Sequence, residues 1–392
     1  MADHNRLEAV AEAGRQPTVL QVLPHMAAGG VQRGTVEIAR AQIAEGWRAI
    51  VASEGGPGVA ALEAVGATHV ILPVASKNPV TMWRNVGRLA HLIEAHSVDI
   101  VHARSRAPAW SASAAAHRTG RRFVATFHGT YGHANALKRR YNAVMTRADT
   151  VIAISDHISR HMQVVYGTPK ERIRVIHRGV DTDLFDPEKV SEERRTALRR
   201  AWDVPEGVRV VMLPGRITRW KGQHVLIEAI AAQSRRDLCC LLIGDAQGRD
   251  GYRAELEAAV ERHGLGSIVR LTGPCDDMPA AYQLADIVVS ASTDPEAFGR
   301  VAIEAQAMGR PVIASDHGGA RETVIEGQTG WLVLPADVDA LAGTLENLWR
   351  PIQELTRLGQ AGVTHVRQDF TVEKMCAETI AVYRAVLDRA AS

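Results

Sequence analysis

The chain has 392 residues, 46% of them hydrophobic and 23% charged. That balance belongs to a globular protein long enough for two ordinary domains, and it excludes wholesale disorder. A formal net charge of +2 gives no global case for nucleic-acid binding.

Four cysteines occur, Cys239, Cys240, Cys275 and Cys376, and none forms a CxxC pair. A chain of this size needs no disulfide staples, so a reducing, cytoplasmic setting is expected. Met1–Gln16 is polar and charged, lacks the apolar core of a signal peptide, and reads as an N-terminal tail. No apolar run reaches the roughly 20 residues of a spanning helix. Any membrane contact is therefore expected to be peripheral, at the inner face of the cytoplasmic membrane.

In chain order, Thr18–Leu23 (TVLQVL) reads as a strand. A glycine-bearing loop follows, then a helix over Val31–Ala44, with Val31, Ile38 and Ala41 near helical spacing. Further strands are expected at Ala49–Ala52, His69–Leu72, Ile100–Ala103, Phe123–Thr126 and Thr150–Ile154, with helical stretches between them. This alternation implies a parallel sheet covered on both faces. The pattern restarts at Val208–Leu213 and continues through a helix from about Gln223 and strands at Leu238–Ile243, Ile268–Leu271, Ile287–Ser290 and Pro311–Ala314. Before the restart stand Asp181–Pro187 and a charged helix, Ser191–Trp202. The expected organisation is a tail (1–16), a first doubly wound domain (17–190), a second (191–370) and a final segment (371–392). Ligands are expected at the carboxyl ends of the strands and in the cleft between domains.

Four segments could carry chemistry. After the first strand, Ala28-Gly29-Gly30-Val31 lets backbone approach a ligand at a helix start. It would serve equally as a tight turn, and its glycines do not fit G-x-G-x-x-G. Between strand and helix, Arg216 and Lys221 in PGRITRWKG offer a fork of donors and a point charge to a diphosphate; a solvated basic turn is the plainer alternative. In DPEAFGRVAIE, Glu296 and Glu304 lie eight residues apart around Phe298-Gly299, at the entrance of a helix over Val301–Met308. Carboxylates there can accept sugar or ribose hydroxyls, and free N–H groups suit phosphate. Fourth, His128 follows the strand in TFHGTY, where it could meet a sugar or fill a structural role. Asp181-Thr182-Asp183 matches a D-x-D metal pattern, but so does Asp337-Val338-Asp339. Cations at 216 and 221 would make a metal redundant for leaving-group charge.

Together these segments resemble the retaining glycosyltransferases of family 4, which have the α/β GT-B fold of two Rossmann-like domains. The marks run from about Thr18 to the C-terminus: AAGGVQRG, TFHGTY, HRGVDTDLF, GRITRWKG and PEAFGRVAIEAQAMGRPVIAS. The style is also similar to lipopolysaccharide-core and related cell-envelope transferases.

The resemblance implies that Arg216 and Lys221 bind the donor diphosphate and that Glu304 holds the nucleotide ribose. Glu296, with the backbone of Ala297, Phe298 and Gly299, would hold the sugar. Phe298, Gly299 and Val301 would bring N–H groups to the phosphates. Gly273–Met278, containing Cys275, would face the base. His128, Gly29 and Gly30 would complete the site from the first domain. A final helix over Val372–Leu387 would cross back to the N-terminal domain. Ala297, often glycine or serine in the family, could alter one donor contact.

The expected activity is transfer of a sugar from a nucleoside diphosphate to an acceptor hydroxyl, with retention, no cofactor and no metal. No carboxylate pair of the retaining-glycosidase kind is evident. Catalysis would come from positioning and from stabilising the departing diphosphate, by a front-face route, with domain closure on the donor. The expected acceptor is a glycan or glycolipid. An anionic membrane surface is a candidate partner through Arg118, Arg121 and Arg122 or Lys138, Arg139, Arg140 and Arg147, with Trp83, Trp110 and Tyr141 available; ordinary solvated faces are the alternative. An epimerase or hydrolase on the same architecture, or a non-catalytic nucleotide-sugar binding module, are the competing classes.

Overall fold

The computed structural model describes residues 15–27, 29–132 and 135–391. Ala28 of the glycine loop and residues 1–14 of the expected tail lie outside the described residues. The chain divides into two compact units: Met1–His177 with Glu373–Ser392, and Arg178–Val372.

Unit 1 is a seven-stranded parallel sheet: β1 (Thr18–Val22), β2 (Arg48–Ser53), β3 (Thr68–Ile71), β4 (Ile100–Ala103), β5 (Arg122–Phe127), β6 (Thr150–Ala153) and β7 (Ile173–Val175). The helices are α1 (Gly30–Ala44), α2 (Val59–Ala64), α3 (Pro79–Ala95), α4 (Arg106–Arg118), α5 (Ala136–Asn142) and α6 (Asp156–Tyr166). Strand order is β3-β2-β1-β4-β5-β6-β7. Every residue of β1, β4 and β6 is buried, which a central strand covered on both faces requires.

Local chemistry sets the helix starts. Asn78 caps α3 by accepting from the N–H groups of Val80 and Thr81, with Pro79 in the first turn. Ser155 caps α6 through the N–H of Ile158. Arg15, within the expected tail, is anchored: its guanidinium lies 2.6 Å from the buried Asp99 carboxylate, whose other oxygen accepts from the Thr18 N–H.

The last helix, Val372–Ala391, contributes its residues from Glu373 to unit 1. Tyr383 on it is fully buried, with its hydroxyl 2.6 Å from Nδ1 of His102 on β4. Nε2 of His102 lies 2.7 Å from the Thr126 hydroxyl on β5. Beside them Arg104 is buried and donates to Gln21 Oε1 at 3.2 Å.

Unit 2 is a six-stranded parallel sheet: β8 (Arg209–Pro214), β9 (Leu238–Ile243), β10 (Val269–Gly273), β11 (Ile287–Ser290), β12 (Val312–Ser315) and β13 (Gly330–Val333). Its helices are α7 (Glu192–Ala201), α8 (Gln223–Ala231), α9 (Asp250–Arg262), α10 (Met278–Leu284), α11 (Arg300–Ala307), α12 (Ala320–Thr323), α13 (Val338–Leu345) and α14 (Ile352–Asp369). The order β10-β9-β8-β11-β12-β13 reverses direction between β8 and β11, so the loops after those two strands diverge and open a crevice at their carboxyl ends. One aliphatic core holds the unit together, with Val211, Leu242, Val289 and Ile313 of the sheet packed among Leu226, Ile230 and Leu256 of the helices.

The division falls earlier than the sequence pattern suggested: unit 2 begins at Arg178 rather than 191. The cause is a long-range backbone bridge. The N–H of Val180 donates to the Phe370 carbonyl at 2.8 Å, and that of Val372 donates to Val180 at 3.1 Å. Gly179 has no Cβ where the Thr371 carbonyl passes, so the strands can meet. Among the described residues, no helix is long and apolar enough to cross a membrane.

Candidate functional site

The loop after β8 is built on its own backbone. The N–H of Gly215 donates to Ile243 and that of Ile217 to Asp245, fastening the loop to the end of β9. Gln223, fully buried, donates to the Arg216 carbonyl at 2.9 Å. A 3-10 turn, Arg219–Lys221, then leads to Gly222, whose φ of 74° is left-handed. A Cβ at Gly222 would stand 1.8 Å from the carbonyl oxygen of Ala291. Gly222→Ala is therefore expected to destabilise unit 2 by about 3 kcal/mol or more, since strain at φ > 0 adds to overpacking against backbone. A urea-denaturation midpoint within error of wild type would contradict this.

The turn carries two cations to the mouth of the sheet. Lys221 Nζ lies 4.5 Å from the centre of the Trp220 ring, and the exposed Arg216 guanidinium lies 5.9 Å from the same ring. Arg216 also lines an open cavity of about 550 Å³ with Thr218, Trp220, Arg249 and Tyr252. That volume falls within the range of small-molecule sites, roughly 300–1,000 Å³.

From the other side of the strand reversal, the segment after β11 brings Glu296. Its Oε1 accepts from Lys221 Nζ at 2.7 Å, and the hydroxyls of Ser290 and Ser292 donate to the same oxygen. The two side chains are only 13% and 12% exposed. Burial by itself pushes the Glu296 carboxyl up, but the Lys221 charge and the hydrogen bonds from Lys221, Ser292 and Ser290 outweigh it. Glu296 is thus held ionised, below its ordinary range. The segment rests on a glycine pair, Gly318-Gly319. The Gly319 N–H donates to the Glu296 carbonyl at 2.9 Å, and a Cβ on either glycine would come within 2.4 Å of the 296–298 backbone. His317 Nε2 lies 2.9 Å from the Ser292 carbonyl.

Gly299, with φ of 92°, turns the chain into α11. The first N–H groups of that helix, including Val301's, lie outside its own i→i−4 ladder. Phe298 is core: it is 3% exposed and packs edge-on to Phe370. Ala297 and Phe298 therefore offer the site main chain rather than a ring. Glu304 accepts from Arg300 at 3.0 Å and from the Tyr282 hydroxyl at 3.1 Å, so both of its oxygens are fixed.

Of the residues singled out from sequence, Lys221 and Glu296 touch, and Arg216 shares the Trp220 ring with Lys221. Lys221 was expected as a diphosphate cation; here its charge is already matched by Glu296. Cys275 sits apart, half-buried after the edge strand β10, two strands from β8, with burial pushing its thiol up. In the same turn Asp277 caps α10 and takes a bidentate pair from Arg194. Asp181 of the D-x-D pattern spends one carboxylate oxygen on the N–H groups of Asp183 and Leu184, which makes it a turn residue. Asp337 caps α13.

His128, Gly29 and Gly30 belong to unit 1. His128 follows β5 and is half-buried. Gly29 precedes α1, and Gly30 opens it.

Two family models match, Glycosyltransferase Family 4 over residues 28–184 and Glycosyl transferases group 1 over residues 194–363. The structure of a glycosyltransferase from Rickettsia africae ESF-5 matches with a TM-score of 0.89 at 35% identity, covering 95% of this chain and 99% of that one. The chain belongs to the GT-B glycosyltransferases.

This glycosyltransferase is also similar to Anabaena HepE in complex with UDP and glucose, with a TM-score of 0.84 at 25% identity over 94% of this chain and 100% of that one. It is 32% identical over 251 residues to the D-inositol 3-phosphate glycosyltransferase of Corynebacterium urealyticum, covering 62% of this chain and 58% of that relative. The match thus spans less than two thirds of the relative's length. Within the glycosyltransferase site, sequence reading passed over Ser290, Ser292, Trp220, Tyr282, His317 and the Gly318-Gly319 pair. Only the glycine pair carried a signal, a GG dipeptide shortly after a strand, with Asp316 and His317 between.

Proposed function

We propose that this glycosyltransferase moves a sugar from a nucleoside diphosphate to an acceptor hydroxyl, with retention at the anomeric carbon and without a metal. The observation that carries the reading is the Lys221–Glu296 pair, with the exposed Arg216 beside it, at the strand reversal of unit 2. Such a crevice is where open α/β sheets bind ligands. A diphosphate there takes the Arg216 fork and shares Lys221 with Glu296. Glu296, held ionised, accepts from a sugar hydroxyl and orients the ring, while the two fixed oxygens of Glu304 suit the ribose.

In the transfer, the bond from the anomeric carbon to the phosphate oxygen breaks. The acceptor oxygen bonds to that carbon from the same face, and its proton passes to the departing phosphate. Arg216 and Lys221 stabilise the charge that develops on the leaving group, so the reading calls for no metal.

The acceptor class is a cell-envelope glycan or glycolipid, lipopolysaccharide included. The similar HepE was solved in complex with UDP and glucose, which makes a uridine donor the first to test. A thermal-shift panel of UDP, GDP, ADP and their sugars should give one base a clear lead. At a hundredfold excess over Kd the folded state gains about 2.7 kcal/mol, or roughly 5–10 °C in Tm for a unit of this size. If no nucleotide shifts the melt, the donor reading fails. Free sugar released at full rate without acceptor would mark a hydrolase instead.

A further inference from the structure

The charge of the chain is unevenly placed. Residues 64–148 carry twelve Lys and Arg against two acidic residues, Glu94 and Asp99, a net +10, whereas the whole chain is +2. The rest is therefore −8. Asp99 is spent on Arg15. The segment supplies α3, α4 and α5, which are neighbours in unit 1. Ser111 on α4 donates to the Met82 carbonyl on α3. Trp110 on α4 donates to the Tyr141 carbonyl at 3.1 Å and stacks on the Tyr141 ring, with centres 5.9 Å apart. That stack removes Trp110 and Tyr141 from the set of aromatics expected to face an interface.

Trp83 is different. It is 76% exposed, one turn from Val80, which is 57% exposed. Lys77, Arg84 and Arg88 are exposed around them. On α5, Leu137 is 78% exposed beside the exposed Lys138, Arg139 and Arg140. Arg139 and Arg140 line an open groove of about 470 Å³ with Val164, itself 84% exposed at the end of α6. Among the described residues, none of these six cations has a carboxylate within 4.0 Å.

We propose that the α3–α5 face of unit 1 docks on an anionic lipid bilayer. Lys77, Arg84, Arg88, Lys138, Arg139 and Arg140 would meet headgroup phosphates while Val80, Trp83, Leu137 and Val164 enter the interface. Two features select a bilayer over a nucleic acid. The aliphatic side chains gain nothing from a phosphate backbone, and an exposed tryptophan flanked by cations suits the boundary between headgroup and acyl chain. This deepens the proposed function by naming the phase that presents the acceptor, and it rests on that reading only for the acceptor's class.

The test is co-sedimentation of the full chain with phosphatidylglycerol-containing vesicles and with pure phosphatidylcholine vesicles at low salt. Binding to the anionic vesicles alone, weakening steeply with salt, is expected. Each cation near such a surface contributes about fivefold to partitioning, so K138A/R139A/R140A should lose roughly 100-fold. W83A should also bind more weakly, at unchanged salt slope. Both variants should keep the wild-type thermal shift with nucleoside diphosphate, which reports an intact unit 2. Should the triple variant fail to fold, W83A/R84A/R88A carries the same test on α3. Arg216→Ala should bind vesicles as wild type does, and a wild type that binds the anionic vesicles while no nucleotide shifts its melt would remove the donor reading and leave this one standing. The proposal is overturned if wild type binds both vesicle types equally or neither, or if the cation variants bind undiminished. It is overturned likewise if the wild type instead captures a random oligonucleotide through the same residues.

Discussion

Arg216→Ala should lower kcat by about 100- to 1,000-fold, the usual cost of deleting one preorganised donor at a developing charge, while urea and thermal unfolding stay near wild type. The separation is expected because the guanidinium is exposed and its contact is with the face of Trp220, not with a structural carboxylate. What holds the loop is the Arg216 carbonyl, which accepts from Gln223, and a substitution at Cβ leaves that bond in place. Arg216→Lys keeps the charge but not the two-pronged geometry, so it should recover only part of the loss. Turnover within a few-fold of wild type in the alanine variant would remove Arg216 from the diphosphate site.

Lys221→Met should be the most destabilising change among the proposed site residues, by about 3–5 kcal/mol, because it strands a buried carboxylate. Ser290 and Ser292 would still donate to Glu296, but no cation would remain. The pH dependence gives the signature. In wild type the carboxyl is depressed. The stability it contributes is therefore present at neutral pH and is lost as pH falls through its folded-state value. In the variant burial is no longer outweighed, so the carboxyl is raised. Its cost is then greatest at neutral pH and is relieved on acidification, as the group takes up a proton. The gap between the two proteins should narrow from pH 7 toward about pH 5, and Glu296→Gln added to Lys221→Met should restore much of the loss. Equal destabilisation at all pH values, measured by urea titration, would show that the pair does not work this way.

How much of this was legible in the sequence depends on range. Most strands were readable because they are runs of β-branched or aliphatic residues buried on both faces; Ile100–Ala103, Leu238–Ile243 and Ile287–Ser290 match residue for residue. Two were missed. β7 and β13 are edge strands of three and four residues, and Arg174 and Gly330 interrupt their apolar pattern. The division near residue 178 was also hidden, since Val180 pairs with residues 370–372, nearly two hundred positions away. The site followed the same rule. Each cation and carboxylate could be named from its place at a strand end, but the contact between Lys221 and Glu296 spans 75 residues and exists only because β8 and β11 lie side by side. Ser292 and His317 had no local signature at all. They become meaningful once three loops converge on one carboxylate.

The hydrogen bond between Tyr383 and His102 bears on the order in which the molecule can be made. Unit 2 is one continuous stretch of chain, whereas unit 1 is written in two instalments, with the second arriving last. On a ribosome the sheet of unit 1 emerges early, yet the polar row formed by His102 and Thr126 waits for a tyrosine nearly three hundred residues downstream. The half of the molecule synthesised first is therefore the half finished last. A lesion in the final twenty residues would be felt not in the neighbouring unit 2 but in the core of the unit translated at the beginning.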